Sequence, residues 1–517
     1  MIRYFRNVGF IFCLVSFLGA SGQLDRTGTP VSWNQAIDLS VENEWLGEAD
    51  VPVLLQEDEL TLEDRSVPFR FAYAKEVNWS MANSGSWTNL ANGDRIWMLS
   101  ITYEEAQSVS VTLGNLDIPK GGKLFLYSED HMECVGPLTE VDNTVQSMTL
   151  PHIRGATMFI EYYEPRLYRG EGSLNVRYVA GSYRNTSQDF GSLQTCNEWI
   201  YDDDLFAAET PVPSSVVQVL TDHGQRYATA VMVNNSANDG KPYVILPAQA
   251  LPVDPSSLLF RFGYTEPSCI ESLASCDFQF VCGATVVVVD EDKGLALLEL
   301  SRAPFSDWDA YYAGWHIGDY PKTNHYCIQH PKGLMKSFSH YTGEYMPVML
   351  ASETFWGLPG LGHGQTDGGS AGSPLFDEDL DLVGIFVGGN TRCGVAGGMD
   401  RFILLEEVWG TFAHYLNPLH QTGERLPGME LPAPLMDTNG LSEMIVFPNP
   451  ASTHIQLAGG QDFIVHSIRI YNSTGGLELV ESGHAKIDVA QLNEGVYSIH
   501  ANTSQGSFSK TLLVSKK

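Results

Sequence analysis

The segment of this 517-residue chain best suited to chemistry is GQTDGGSAGSPLFD, residues 364–377. Gly368-Gly369-Ser370-Ala371-Gly372 satisfies G-x-S-x-G, the pattern of a nucleophile elbow, where a strained turn from strand to helix exposes a serine hydroxyl. The residues after it are Ser373-Pro374-Leu375-Phe376 and then Leu382-Val383-Gly384-Ile385-Phe386, a turn between two strands. The elbow reading fails on that context. VDEDKG and FDEDLDLVG carry enough carboxylates for a Ca²⁺ loop, but hairpin turns account for both. The 14 histidines are scattered, and no H-E-x-x-H or paired C-x-x-C occurs. No metal and no other cofactor is expected.

The elements that must position this segment fall into three blocks, all β in texture. Arg3 and Arg6 precede an apolar run from Val8 to Leu18 and the small residues Gly19-Ala20-Ser21-Gly22. Residues 1–22 therefore read as a signal peptide, too short for a span, and no later stretch is long and apolar enough to be one. Residues 23–190 read as an N-terminal β-sandwich: RIWMLSITYEEAQSVSVTLGNLDIP alternates apolar and polar residues, and KGGKLFLYSED and GATMFIEYYEP repeat the pattern. Residues 191–418 hold the short strands YATAVMV, YVILPA, GATVVVVD, ALLELS and LVGIFVGG, closed by a helix within RFILLEEVWGTFAHYL. Residues 419–443 are a Pro- and Gly-rich linker, and 444–517 a small third β block.

Composition bounds the partners. With 30 Lys+Arg against 62 Asp+Glu the chain stands at −32, which repels phosphate backbones, so nucleic acid is excluded as a partner. Only 18% of residues are charged while 43% are hydrophobic, the balance of a folding chain rather than an acidic tail.

Gly369-Ser370-Ala371-Gly372-Ser373-Pro374 resembles the G-x-S-G-x-P loop of trypsin-like proteases in every position but the nucleophile, which is Ala371. Further landmarks narrow the resemblance to the bacterial lysyl endopeptidase family. VMVNNSANDGKPYVILPAQAL resembles the family's V-N-N-x-A-N-D segment running into T-A-H-H-C, and GLALLELS its D-F-T-L-L-E-L strand. YAGWHIGDYP, IQHPKG and VGGNTRCG come after these in the family's order. The resemblance implies an all-β chain with a trypsin-like double β-barrel, flanked by a propeptide-like N-terminal sandwich and a small C-terminal one. Carried over residue by residue, the general-base histidine falls on Ala250, the orienting aspartate on Gly294 and the serine on Ala371. None can serve as base, orienter or nucleophile. Asp290, Asp292, Ser370 and Ser373 lie nearby as conceivable substitutes, and the backbone amides of Gly369 and Ala371 would remain as oxyanion-type donors.

The resemblance also implies a disulfide between Cys196 and Cys393, while another family pair falls on Ala228 and Leu251; pairing among Cys134, Cys269, Cys276, Cys282 and Cys327 stays open. Asp400 falls where lysine-specific members keep the acid that faces a substrate ammonium, and its alternative is a turn aspartate on an acidic surface. Trp356 either lines the same cleft or packs in the core. Phe447-Pro448-Asn449-Pro450, IRIYNSTGG, EGVYSIH and KTLLVSKK resemble the C-terminal sorting domain of the type IX secretion system, which implies export of the Bacteroidota kind and handling by that machinery through residues 444–517. The leading expectation is a secreted or cell-surface pseudoprotease that binds a peptide or protein ligand of unknown identity. Beside it stand a serine endopeptidase with residual or unorthodox activity toward Lys/Arg bonds, and an adhesin acting through the N-terminal sandwich.

Overall fold

The computed structural model describes residues 29–34, 41–61, 64–143, 145–184, 197–200, 206, 210–265, 279–304, 308, 310–318, 323–350, 353–360, 363–392 and 397–430, and in the tail 445–447, 451–458, 465–472, 477–482, 486–503 and 506–516. The signal-peptide reading, Cys196, Cys393, Cys269 and Cys276 lie outside the described residues. The chain forms two compact units, residues 1–431 and 432–517.

The N-terminal block is a sandwich. One sheet is ordered Glu42–Leu46, Arg95–Tyr103, Thr157–Glu164, Lys123–Ser128, Cys134–Leu138, with Ser86–Asn89 also on Arg95–Tyr103. The other is ordered Ile153–Arg154, Ser108–Asp117, Ser173–Ser182, Ala72–Ser80. Alternation supplies the core: Leu99, Ile101 and Tyr103 from the first sheet meet Val109, Val111 and Leu113 from the second, all buried. The segment ahead of the sandwich contributes a parallel edge strand, Glu42–Leu46, and an eleven-residue helix, Val51–Thr61.

The middle block is a double β-barrel. The first sheet runs Phe280–Cys282, Leu259–Arg261, Val216–Thr221, Arg226–Met232, Tyr243–Pro247, Leu295–Leu300, Ala284–Asp290. The second runs Glu198–Trp199, Ser337–Thr342, Asn324–Gln329, Pro374–Phe376, Leu382–Gly389, Met399–Leu404, Glu353–Pro359, Met346–Leu350. Period-two side chains split each strand between two cores. Val217, Val219, Ala230, Met232, Val244 and Leu246 fill the first barrel. Their neighbours Val216, Val231, Val233 and Ile245 face the second barrel and pack on Trp315, Ile385 and Ile403. The expected closing helix is Leu405–Leu416; it buries Leu405, Val408, Phe412 and Leu416, the face a 3.6 period predicts.

Sandwich and barrels are joined in one unit rather than strung on a linker. Phe69, Phe71, Leu220, Tyr227, Leu259 and Phe280 share the sandwich core. At the joint, His152 Nε2 bonds to the Gly224 carbonyl at 2.8 Å, and Arg302 Nη1 pairs with Asp142 at 3.5 Å. Among the described residues, no helix is long and apolar enough to cross a membrane. In the tail unit, sheets of three and four strands enclose Ile455, Ile468, Ile470, Ile499 and Leu512.

Candidate functional site

The three positions expected to hold a triad lie on turns that the fold brings together. Ala250 ends a short turn, Ala248–Ala250, directly after the strand Tyr243–Pro247. Gly294 closes the hairpin into Leu295–Leu300, the partner of that strand, and the Ala248 amide donates to the Gly294 carbonyl at 2.8 Å. Ala371 comes from the other barrel, in the turn before Pro374–Phe376, and its carbonyl accepts from the Thr229 amide at 2.9 Å. Both alanines are buried, and neither side chain has a polar atom to offer.

Gly294 serves its turn through backbone conformation. Its φ is +69°, a left-handed conformation that closes the turn, with its amide donating to the Asp290 carbonyl at 2.7 Å. A Cβ there would meet open space, so glycine is kept by backbone conformation and not by crowding.

Two of the nearby substitutes, Asp290 and Ser370, are engaged elsewhere, whereas Asp292 is exposed and lines a cleft together with Gly294. Asp290 accepts from Thr411 Oγ1 at 2.6 Å and from the Lys293 amide at 3.0 Å, and Lys293 pairs with Glu407 at 2.7 Å, which ties this hairpin to the closing helix. Ser370 is fully buried; its hydroxyl donates to Gln329 Oε1 and accepts from the Asp367 amide at 3.0 Å. Ser373 is equally buried. His223 stacks on Tyr178 of the sandwich at 3.7 Å. His330, from IQHPKG, is buried with Nδ1 on the Leu334 carbonyl at 2.9 Å, and burial holds its imidazole well below the usual range, so it is neutral.

The loop expected to supply oxyanion-type donors is pinned from outside. Thr229 Oγ1 donates to the Gly369 carbonyl at 2.9 Å, and the Lys332 amide donates to the Gly368 carbonyl at 2.6 Å. Among the described residues, the amides of Gly369 and Ala371 donate to no backbone carbonyl.

Asp400 sits on the strand Met399–Leu404 opposite Leu358 and Gly389, and it is fully buried. It is not a surface turn aspartate. Its Oδ2 accepts from Tyr341 Oη at 2.6 Å, Thr391 Oγ1 at 2.8 Å and Thr366 Oγ1 at 3.0 Å. Burial pushes its carboxyl up; the hydrogen bonds from Tyr341 and Thr391, the Arg65 charge and Thr366 pull the other way without cancelling it.

Arg65 was not among the expected site residues. It belongs to the stretch between the helix Val51–Thr61 and the sandwich, yet it is buried in the double barrel. Its Nη1 donates to the Thr391 carbonyl at 2.7 Å and to Thr366 Oγ1 at 3.2 Å. Thr366 therefore stands between guanidinium and carboxylate, accepting from one and donating to the other. The sequence offered one hint, a lone arginine in Asp64-Arg65-Ser66-Val67-Pro68, where the residue before proline is pushed toward extended backbone.

Next to Arg65 a cleft of about 340 Å³ is open, lined by Ser66, Gln249, Gly294, Phe355, Val387 and Arg401 among others. Neither Trp356 nor Asp400 is among its lining residues; Trp356 pairs with Phe402 as Leu358 does with Asp400, so Trp356 and Asp400 lie on the same face of the sheet. Successive strand residues face opposite sides, so Phe355 faces the cleft while Trp356 turns away and meets Tyr345 edge-on at 5.0 Å. The acid-rich FDEDLDLVG is a hairpin turn, with the Asp379 and Asp381 amides both donating to Asp377 Oδ1 at 3.0 Å. Asp377 and Asp381 also lie with His316 in a group close enough to hold a metal ion, and Arg425 pairs with Asp381 and Asp379. Cys282 and Cys327 are buried thiols; burial pushes the Cys282 thiol up to about 12.

Comparison with known proteins agrees with the motifs. Residues 195–402 match the family model described as the lysyl endopeptidase C-terminal domain, and residues 445–515 the one described as the secretion system C-terminal sorting domain. Among solved structures, an inactive serine-to-alanine mutant of Rv3671c from M. tuberculosis H37Rv matches at 14% identity, covering 41% of this chain and 93% of that one, with a TM-score of 0.29. The MamO protease domain from Magnetospirillum magneticum matches at 15% identity, covering 39% of this chain and 97% of that one, with a TM-score of 0.28. The sorting domain marks the protein for export to the cell surface or the medium. The chain thus joins a protease-like domain similar to that of lysyl endopeptidases to a tail similar to type IX sorting domains.

Proposed function

We propose that this protein is a secreted or cell-surface non-catalytic homologue of lysyl endopeptidase, a pseudoprotease whose cleft binds and does not cut. One observation carries the reading: the turns that the motifs assign to a triad hold Ala250, Gly294 and Ala371, none with a side chain that can do its chemistry. A methyl group cannot attack a carbonyl, and a serine without a general base is a poor nucleophile at neutral pH. Ser370 does not rescue the site, because its hydroxyl is spent inside the fold on Gln329 and Asp367. The loop amides of Gly369 and Ala371 and the buried acid Asp400 support a retained capacity to bind a carbonyl and a basic side chain.

The test is exposure of the protein lacking residues 1–22 to a fluorophosphonate, followed by intact mass. The expected result is no added mass, while the variant carrying Ala250→His, Gly294→Asp and Ala371→Ser serves as reference. An adduct on Ser370 or Ser373 of the natural sequence would overturn the reading.

A further inference from the structure

The stretch from Asp64 to Phe71 does not pass over the double barrel; it is built into it at four points. Arg65 reaches the Asp400 pocket through Thr366 and the Thr391 carbonyl, at 3.2 and 2.7 Å. Ser66 lies against Gly388, where an added Cβ would come within 3.2 Å of the Ser66 side chain; φ is +135° there, a second reason for glycine. Phe69 covers Gly368, beside the oxyanion-type loop, where a Cβ would come within 2.8 Å of the ring. Phe69 and Arg70 then add a short antiparallel strand to Arg226–Met232, opposite Tyr227 and Arg226. Further bonds fix the register: the Phe71 amide to the Gln225 carbonyl at 3.0 Å, and Arg226 Nη1 to the Pro68 carbonyl at 3.2 Å.

The Arg70 end of the stretch is anchored to the helix and the sandwich. Arg70 Nε pairs with Asp58 of the preceding helix at 2.7 Å, and Asp58 also accepts from Tyr183 at 2.6 Å and Arg184 at 2.8 Å at the end of the sandwich. This is strand addition plus a side-chain pocket, the way extended peptides are recognised, supplied here in cis.

We propose that the ligand of the Asp400 pocket is Arg65 of the same chain, and that the retained specificity pocket serves as a clamp holding the N-terminal sandwich on the double barrel. The inference rests on the non-catalytic reading, since a clamp that is never cut can stay closed. A basic side chain from outside enters only when the arm has left, so its apparent affinity is reduced by the fraction of molecules that are open.

The experiment uses the whole chain lacking residues 1–22 and arginine amide as the probe, titrated by calorimetry into natural protein, Arg65→Ala, Arg65→Lys, and Arg65→Ala with Asp400→Asn. Arg65→Ala is expected to bind arginine amide at least roughly tenfold more tightly than the natural chain. Arg65→Lys keeps the clamp and stays weak, and the double variant loses the gain. Hydrogen exchange then reads the arm itself, with residues 64–71 protected in the natural chain and faster in Arg65→Ala. Equal binding by natural protein and Arg65→Ala, no binding by either, or an unprotected arm in the natural chain would each overturn the clamp. Hydrolysis plays no part in these readouts, so failure of the non-catalytic reading shows separately, as cleavage.

Discussion

The Ala248 amide donates to the Gly294 carbonyl at 2.8 Å, which ties the turn that should carry a general base to the turn that should carry its orienting acid. Both turns hang from the paired strands Tyr243–Pro247 and Leu295–Leu300, so their spacing is set by the barrel. Framework and chemistry are separable here. On the non-catalytic reading proposed above, the residues at the site remove the hydrolysis that the family motifs would otherwise imply.

Gly294 gives the simplest stability test. Its left-handed φ of +69° with open space around it makes the cost of any substitution conformational. Gly294→Ala should cost about 1–2 kcal/mol, and Gly294→Asp or Gly294→Asn less, because their side chains bond locally to the backbone. Denaturant midpoints check this. Equal or greater losses for Gly294→Asp would show that the turn opposes a carboxylate for another reason.

Ser370 should behave as a structural residue. Ser370→Ala leaves Gln329 Oε1 and the Asp367 amide without that partner in a buried site. The expected loss is about 1–3 kcal/mol in unfolding, with no change in reactivity toward fluorophosphonate. An unchanged unfolding midpoint would contradict the assigned bonding.

The joint between sandwich and barrel makes a signed pH prediction. Burial raises the Asp142 carboxyl to about 6, above its ordinary value of 3.8, despite the Thr139 hydrogen bond and the Arg302 charge. The folded state thus holds this proton more tightly than the unfolded one. Asp142's contribution is fully present below about pH 4 and is lost as pH rises through about 6. Asp142→Asn removes that dependence, so its stability relative to the natural chain should improve between pH 4 and 7, by on the order of 2–3 kcal/mol. Paired thermal melts across that range measure it. A difference that is flat with pH would contradict the buried, raised carboxyl.

His152 works the opposite way at the same joint. Burial lowers its imidazole to about 4, from an ordinary 6.5. Its contribution is present above about 6.5 and is lost as pH falls through about 4. His152→Gln should flatten the acid side of the melting profile below pH 6. An acid limb as steep as that of the natural chain would contradict the assignment.

Most of the fold was legible because alternation is a local signal: YATAVMV, YVILPA and LVGIFVGG became strands, and the apolar period of RFILLEEVWGTFAHYL marked the helix. The proposed triad positions, Ala250, Gly294 and Ala371, rest on the motif residues that flank each of them in the sequence. Three features were not legible. The helix Val51–Thr61 lacks a clear apolar face, so its sequence carries little periodicity. Trp356 could not be assigned to a strand face before the pairing with Phe402 was known. Arg65 lies 335 positions before Asp400, and only tertiary packing brings them to the same threonine.

The most direct measurement is cleavage of a broad peptide mixture, read by mass spectrometry, by the chain lacking residues 1–22 and by its Arg65→Ala variant. Opening the pocket in the variant separates a protein that cannot cut from one that is only blocked. The account predicts that neither produces cleavage above buffer. Cuts after Lys or Arg by the Arg65→Ala variant, surviving repurification, would show a latent protease and contradict it.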